Sequence, residues 1–223
     1  MSLERDGFAL APSGLTPDER FALADALESG SEEGTSRRGG ATYARRNLAS
    51  HPAVVALAKR LAPPGLKLVR AILFDKRDGA NWPVPWHQDL SLAVAEGTNF
   101  PGWGPWSVKA GVVHVQPPAE YLEQMLALRL HLDDCPAENG ALKVLPGTHL
   151  FGRLSAERIQ ELRAEIPEAL CPARAGEILW MRPLLLHASS PAIAPTRRRV
   201  LHLELAPTNL LPAPLQWAVE NAE

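Results

Sequence analysis

The sequence predicts a mainly β fold with flanking helices, a sandwich or barrel of short strands under a helical cover. Helical periodicity dominates only before about residue 65, and from Leu66 onward short apolar or alternating runs follow one another. The 223 residues include 21 prolines and 16 glycines, which favour many short elements joined by turns over a few long helices.

Residues 4–12 read as an opening strand that ends at Pro12. Thr16-Pro17-Asp18-Glu19 starts a helix, with Thr16 as N-cap, Pro17 in the first turn and Glu19 placed to reach back to the cap. Phe21, Leu23, Ala26 and Leu27 continue it to Ser29-Gly30, where a polar, glycine-rich loop over residues 31–40 begins. His51 to Leu61 has the spacing of a second amphipathic helix, stopped by Pro63-Pro64-Gly65. Leu66 to Asp75 is a strand apolar enough to be buried on both faces, with Arg70, Ile72, Phe74 and Lys76 sharing one of them. A turn spans Lys76 to Asn81, and residues 99–116 read as a loop followed by one short strand. Glu120 to Leu122 is a single helical turn. Leu126 to Asp133 alternates Arg129, His131 and Asp133 with Leu128, Leu130 and Leu132, the period of a strand. Asn139-Gly140 predicts a hairpin turn into Leu142–Leu145. Pro146 to His149 forms another turn, and Ser155 caps a helix running to Ala164. Gly176–Met181 and Arg198–Leu205 complete seven or eight strands. With no internal repeat and no linker, the expectation is one domain over residues 1–223: a helical cover over about 1–65 and a β core over about 66–206.

Charge is nearly balanced, with 23 Lys and Arg against 25 Asp and Glu. That gives no support to a nucleic-acid or anionic-membrane partner and leaves a small-molecule substrate as the expectation. No segment has the roughly 18 apolar residues of a membrane helix, and the opening Met-Ser-Leu-Glu-Arg-Asp lacks a signal-peptide core. Cys135 and Cys171 are too few for a disulfide scaffold, so a reducing cytoplasm fits. Oligomeric state is left open.

The chemistry centres on Trp82-Pro-Val-Pro-Trp86-His87-Gln88-Asp89. In an extended strand His87 and Asp89 would project to one side, close enough to share a metal ion. Alone, a His-x-Asp pair is weak. Its apolar and aromatic flanks imply burial, and buried ionisable groups need partners, of which a metal is one. His187, preceded by three leucines, is the best third ligand. Two histidines and one carboxylate on one side of iron leave open positions opposite, as in non-haem Fe(II) oxygenases. Arg198 follows 11 residues later, and pairing of the two strands would bring its guanidinium into the same cavity as an anchor for a carboxylate. Arg197, Arg198 and Arg199 compete for this role; the mixed companions of Arg198 suit a polar cavity, and the leucines beside Arg199 suit packed core. Trp82, Trp86, Trp103 and Trp106 could wall the metal or simply pack.

Trp86-His87-Gln88-Asp89, the run Glu138-Asn-Gly-Ala-Leu-Lys-Val-Leu-Pro-Gly-Thr-His149, and His187-Ala188-Ser189 followed by Arg198 resemble the phytanoyl-CoA dioxygenase family. The resemblance extends from Asp6-Gly7-Phe8 to about Leu205. It implies a double-stranded β-helix (jelly-roll, cupin-like) barrel and an Fe(II)- and 2-oxoglutarate-dependent oxygenase. His87, Asp89 and His187 would hold iron, Arg198 the distal carboxylate of 2-oxoglutarate, and Ser189 would help to hold the cosubstrate. The implied reaction uses O2 and releases succinate and CO2 while a C–H bond is hydroxylated; the presence of Asp89 speaks against halogenation, which needs that position vacant. Arg129 departs from the family pattern, where an aromatic residue occupies this strand position; it either lines the cavity with His131 or pairs with Asp133 or Glu204. Lys76 either touches the cosubstrate or ends its strand at the surface. The alternative is a cupin-like protein that binds a metal or ligand without turning over 2-oxoglutarate.

Overall fold

In a computed structural model of the chain, residues 1–28, 42–43, 48–77, 81–97, 100–109, 111–193 and 196–219 are described. The first half contains β1 (Phe8–Pro12), α1 (Pro17–Glu28), β2 (Thr42–Tyr43), α2 (Pro52–Leu61), β3 (Leu66–Lys76), β4 (Val84–His87), β5 (Leu92–Val94), β6 (Trp106–Lys109) and β7 (Val112–Val115). The second contains α3 (Ala119–Glu123), β8 (Leu126–His131), β9 (Leu142–Val144), α4 (Ala156–Glu165), β10 (Ala169–Cys171), β11 (Glu177–Met181), β12 (His187–Ser189) and β13 (Arg198–Pro207). The helix starts form as the sequence predicts. Thr16 Oγ1 accepts from the Glu19 amide at 3.2 Å while Glu19 accepts from the Thr16 amide at 2.7 Å, and Ser155 Oγ accepts from the Arg158 amide at 3.2 Å.

The strands form a six-stranded sheet ordered β1-β11-β8-β13-β3-β2, a four-stranded sheet ordered β10-β9-β12-β4, and a three-stranded sheet ordered β5-β7-β6, all antiparallel. From β3 to β13 the chain passes back and forth between the two larger sheets, which makes the core a double-stranded β-helix. Leu73, Leu128, Leu130, Leu201 and Leu203 on one face of the six-stranded sheet pack under Leu23, Leu27, Val54 and Leu57 of the helices. Fully burying one such leucine stabilises the fold by about 1.5–3 kcal/mol. The opposite face looks inward. At one end Ala127, Leu179 and Met181 meet Leu142, Val144 and Cys171 of the four-stranded sheet. Toward the other end the same face turns polar, with Lys76, Phe74, Ile72 and Arg70 in register with Arg198, Val200, His202 and Glu204, and with His131 and Arg129 alongside on β8.

Several expectations are corrected. Thirteen strands occur among the described residues, against seven or eight expected, because strands of two to four residues carry no readable alternation. Residues 99–116 hold a two-stranded hairpin rather than one strand. The opening strand does form, as β1 paired with β11 at a sheet edge. Asn139-Gly140 makes no hairpin: Gly140 is left-handed (φ 68°), but β8 stays in the six-stranded sheet while β9 crosses to pair with β10 and β12. Nor do β12 and β13 pair; they lie in different sheets. The loop expected over 31–40 lies outside the described residues. Among the described residues no helix is long and apolar enough to cross a membrane.

Candidate active site

The register of β4 and β12 sets His87 directly opposite His187, with ring centroids 4.1 Å apart. Asp89 does not share a strand with His87, as the sequence suggested; β4 ends at His87 and the chain turns. Gln88, which sequence reasoning passed over, holds that turn. Its buried side chain donates to the carbonyls of Gly152 (2.8 Å) and Leu184 (2.7 Å) and accepts from the Leu154 amide (2.9 Å). The Asp89 amide donates to Pro183 O at 2.9 Å. So anchored, the Asp89 carboxylate lies 3.6 Å from His87 Nε2 and 3.7 Å from His187 Nε2. One ligand atom from each residue falls within 4.8 Å of the other two, and this is the only such group of three or more among the described residues.

Tautomer and charge also suit a metal. His87 Nδ1 is 2.8 Å from Pro85 O and His187 Nδ1 is 2.9 Å from Leu185 O. A carbonyl can only accept, so each Nδ1 carries the proton and each Nε2 lone pair points to the shared space. Burial pushes the His187 imidazole down to about 3, against the pull of Asp89, so it is neutral at physiological pH. Burial pushes Asp89 up, but His187, His202, His87 and Arg129 outweigh it and hold the carboxylate at about 2. His87 and Asp89 remain partly open, with side chains 37% and 32% exposed, whereas His187 is buried; the flanking tryptophans do not seal the centre.

Behind the triad lie three basic side chains, Lys76 and Arg198 buried and Arg129 half-buried. Lys76 is in register with Arg198, and its Nζ donates to Trp82 O (2.7 Å) and across the sandwich to Ser189 Oγ (3.2 Å). Burial, then Arg198 and Arg129, push Lys76 down to about 7. Arg198 donates to Gly140 O, and its Nε is buried without a hydrogen-bond partner. Arg129 pairs with neither Asp133 nor Glu204. Its Nη1 lies 3.2 Å from His202 Nδ1 and its Nε is unpartnered, while Asp133 is taken by Arg199 and Glu204 by Arg70. Both nitrogens of His131 are buried without partners, and burial with Arg129 and Arg198 holds this ring at about 3. Arg197 and Arg199 face away: Arg197 forks onto Asp75 (3.2 and 2.9 Å), and Arg199 onto Asp133 (2.8 and 2.7 Å).

The tryptophans make no common wall. Trp103 packs edge-on to Phe100 and Tyr121, Trp106 joins that same apolar cluster, Trp82 lies 4.9 Å from the Lys76 ammonium, and Trp86 sits against Leu145, Leu162 and Leu186. His149 braces its turn by bonding Glu4 O at 3.0 Å, and a Cβ on Gly7 (φ 83°) would strike its ring at 2.5 Å.

Among solved structures, AviO1 from Streptomyces viridochromogenes Tue57 is 21% identical, matching 95% of this chain and 95% of its own, with TM-score 0.62. The non-heme alpha ketoglutarate dependent epimerase SnoN from nogalamycin biosynthesis is 22% identical over 92% of this chain and 77% of its own (TM-score 0.61). HygX from Streptomyces hygroscopicus, with nickel and 2-oxoglutarate bound, is 15% identical over 93% and 85% (TM-score 0.64). Identities this low establish the shared fold. No curated protein matches the chain. The phytanoyl-CoA dioxygenase family model spans residues 3–200, and by that match the chain belongs to the phytanoyl-CoA dioxygenase family.

Proposed function

We propose that residues 1–223 form one Fe(II)- and 2-oxoglutarate-dependent dioxygenase domain that hydroxylates a small organic substrate, with release of succinate and CO2. The observation that carries this is the pairing of a His87–Asp89–His187 triad with buried cations that lack a carboxylate. Buried charge without a counter-charge is costly, and the unpartnered Nε atoms of Arg198 and Arg129 ask for an acceptor. A dicarboxylate that is anchored at one end and chelates a metal at the other meets both demands. Names of structural neighbours support the pairing: SnoN is described with Fe3+, alpha ketoglutarate and a nogalamycin, and HygX with nickel, 2-oxoglutarate and hygromycin B.

In this reading His87 and His187 would hold iron through their Nε2 atoms and Asp89 through a carboxylate oxygen. Arg198 would bind the distal carboxylate of 2-oxoglutarate in a fork, with Lys76 and Ser189 flanking it and Arg129 lining the same cavity. When bound, iron and 2-oxoglutarate together supply the oxidising power for O2-dependent attack on a C–H bond. Asp89 fills the position that a halogenase leaves vacant, which favours hydroxylation. A cytoplasmic setting accords with two free, buried cysteines, Cys135 and Cys171.

Anaerobic addition of Fe(II) and 2-oxoglutarate should raise a weak visible charge-transfer band, and admission of air should yield succinate. Absence of both overturns the oxygenase reading in favour of a metal- or ligand-binding cupin. Asp89→Ala should abolish the band and the succinate while leaving the melting transition nearly in place; unchanged turnover would refute the ligand assignment.

A further inference from the structure

Strand histidines in this fold fix their rings through the carbonyl two residues back. His87 Nδ1 lies 2.8 Å from Pro85 O, His187 Nδ1 2.9 Å from Leu185 O, and His114 Nδ1 3.0 Å from Val112 O. His131 does not. It is 2% exposed, and both of its ring nitrogens are buried without a partner. Among the described residues eight buried side-chain nitrogens lack a hydrogen bond, and four of the eight belong to Arg129, His131 and Arg198. An unsatisfied buried polar group costs about 1–3 kcal/mol. Orphans gathered at one place therefore point to a ligand rather than to scattered faults of packing.

Sheet register is what gathers them. Arg129 and His131 are two residues apart on β8, so they share its inner face. His131 is in register with Val200 of β13, and Arg198 precedes Val200 by two residues. Arg198 is thus the diagonal neighbour of His131, at the roughly 7–8 Å that long side chains can span. The facing sheet shows where this step lies along the site. Lys76, in register with Arg198, reaches Ser189 Oγ at 3.2 Å, and Arg198 itself donates to Gly140 O. Ser189 is opposite Leu142 of β9, and His187 is opposite Val144. Leu142 and Val144 share an apolar cluster with Leu179, which is in register with Arg129. His131 therefore stands between the Arg198 level, beside Ser189, and the Arg129 level, toward His187.

We propose that His131 is a further cosubstrate-binding residue, its ring N–H donating to the distal carboxylate of 2-oxoglutarate beside the Arg198 guanidinium. The inference rests on the oxygenase reading above and adds a residue to that site. A neutral imidazole has one donor and one acceptor, and burial with Arg129 and Arg198 keeps this ring neutral. The carboxylate supplies the acceptor that the N–H lacks. The second ring nitrogen takes a donor from the guanidiniums on either side, each of which has an unpartnered Nε–H. Without a carboxylate the same ring is a cost to the fold, and an apolar ring in its place relieves that cost. Affinity for the cosubstrate and stability of the empty protein are thus uncoupled at this position, as they are not for a histidine that only packs.

The test titrates the protein with 2-oxoglutarate in the presence of Fe(II) under argon, followed by calorimetry and by the visible band. Neither heat nor band in the unaltered protein rejects the oxygenase reading and this inference with it. Where binding occurs, His131→Phe should raise the Kd for 2-oxoglutarate about tenfold or more, and without ligands it should melt no lower than the unaltered protein. His131→Gln, which keeps a donor and an acceptor, should recover most of the lost affinity. His131→Leu, smaller than the native ring, gives the same reading where phenylalanine does not fit. 2-Oxopentanoate has the keto acid but no distal carboxylate, and it locates the contact: its Kd should hardly change in His131→Phe. An unchanged Kd for 2-oxoglutarate in the apolar variants, or an equal penalty on both keto acids, overturns the assignment.

Discussion

At single residues the site divides into charges that are already satisfied and charges that are not. Lys76 belongs to the second kind. Its ammonium is held near pH 7 by burial and by Arg198 and Arg129, so in the free protein it loses its proton as pH rises through neutrality. A dianion beside it favours the protonated form. Affinity for 2-oxoglutarate should therefore be greatest below about pH 7 and fall above it, with proton uptake on binding; calorimetry in buffers of different ionisation enthalpy measures this directly. Arg197 and Arg198 make a second contrast. Arg198→Lys keeps the charge and loses the fork, so KM for 2-oxoglutarate should rise about tenfold or more with a small change in stability. Arg197→Ala should do the reverse. It strands the fully buried Asp75, at a cost of about 2–3 kcal/mol in chemical denaturation, and leaves that KM near its original value.

At the level of elements, the site is built by register and by the turns that end strands. Gly140 shows how little room those turns leave. Its φ of 68° suits glycine, and an added Cβ would come within 2.6 Å of the Ser190 carbonyl oxygen and 3.5 Å of Arg198 Nη1. Gly140→Ala should cost about 1–3 kcal/mol of stability, measured by denaturant unfolding, and should weaken 2-oxoglutarate binding because the backbone that holds Arg198 moves. Much of this scale was legible in the sequence. Both capped helix starts, the long strands β3, β8 and β13, and the inward face shared by Arg70, Phe74 and Lys76 follow from period and capping chemistry. The grouping of His87, Asp89 and His187 was legible through their spacing and neighbours, although the strand geometry assumed for Asp89 was not what brings it round. That turn depends on Gln88, whose partners lie 64 to 96 residues away.

At the scale of the whole molecule, the candidate metal triad and the basic side chains proposed to hold the cosubstrate come from different sheets. The triad sits at the β4–β12 seam, and the cations project from β3, β8 and β13. The two halves face each other only when the sandwich closes, so ligands that engage both should stabilise the closed form by mass action. Fe(II) and 2-oxoglutarate, each at about 100 times its dissociation constant, should together add roughly 5 kcal/mol, a rise of roughly 10–20 °C in Tm for a chain of this length. Calorimetry under argon checks this; an unshifted melt in the presence of both ligands would contradict a site shared by two sheets. The hydrogen bond from Lys76 to Ser189 has a further meaning in this light. It is a cross-tie between facing walls, and the spacing of packed sheets is about 10 Å. We expect that spacing to act as a calliper, so that keto diacids one carbon shorter or longer than 2-oxoglutarate should show a higher KM, and cosubstrate length would be gauged by the thickness of the protein itself.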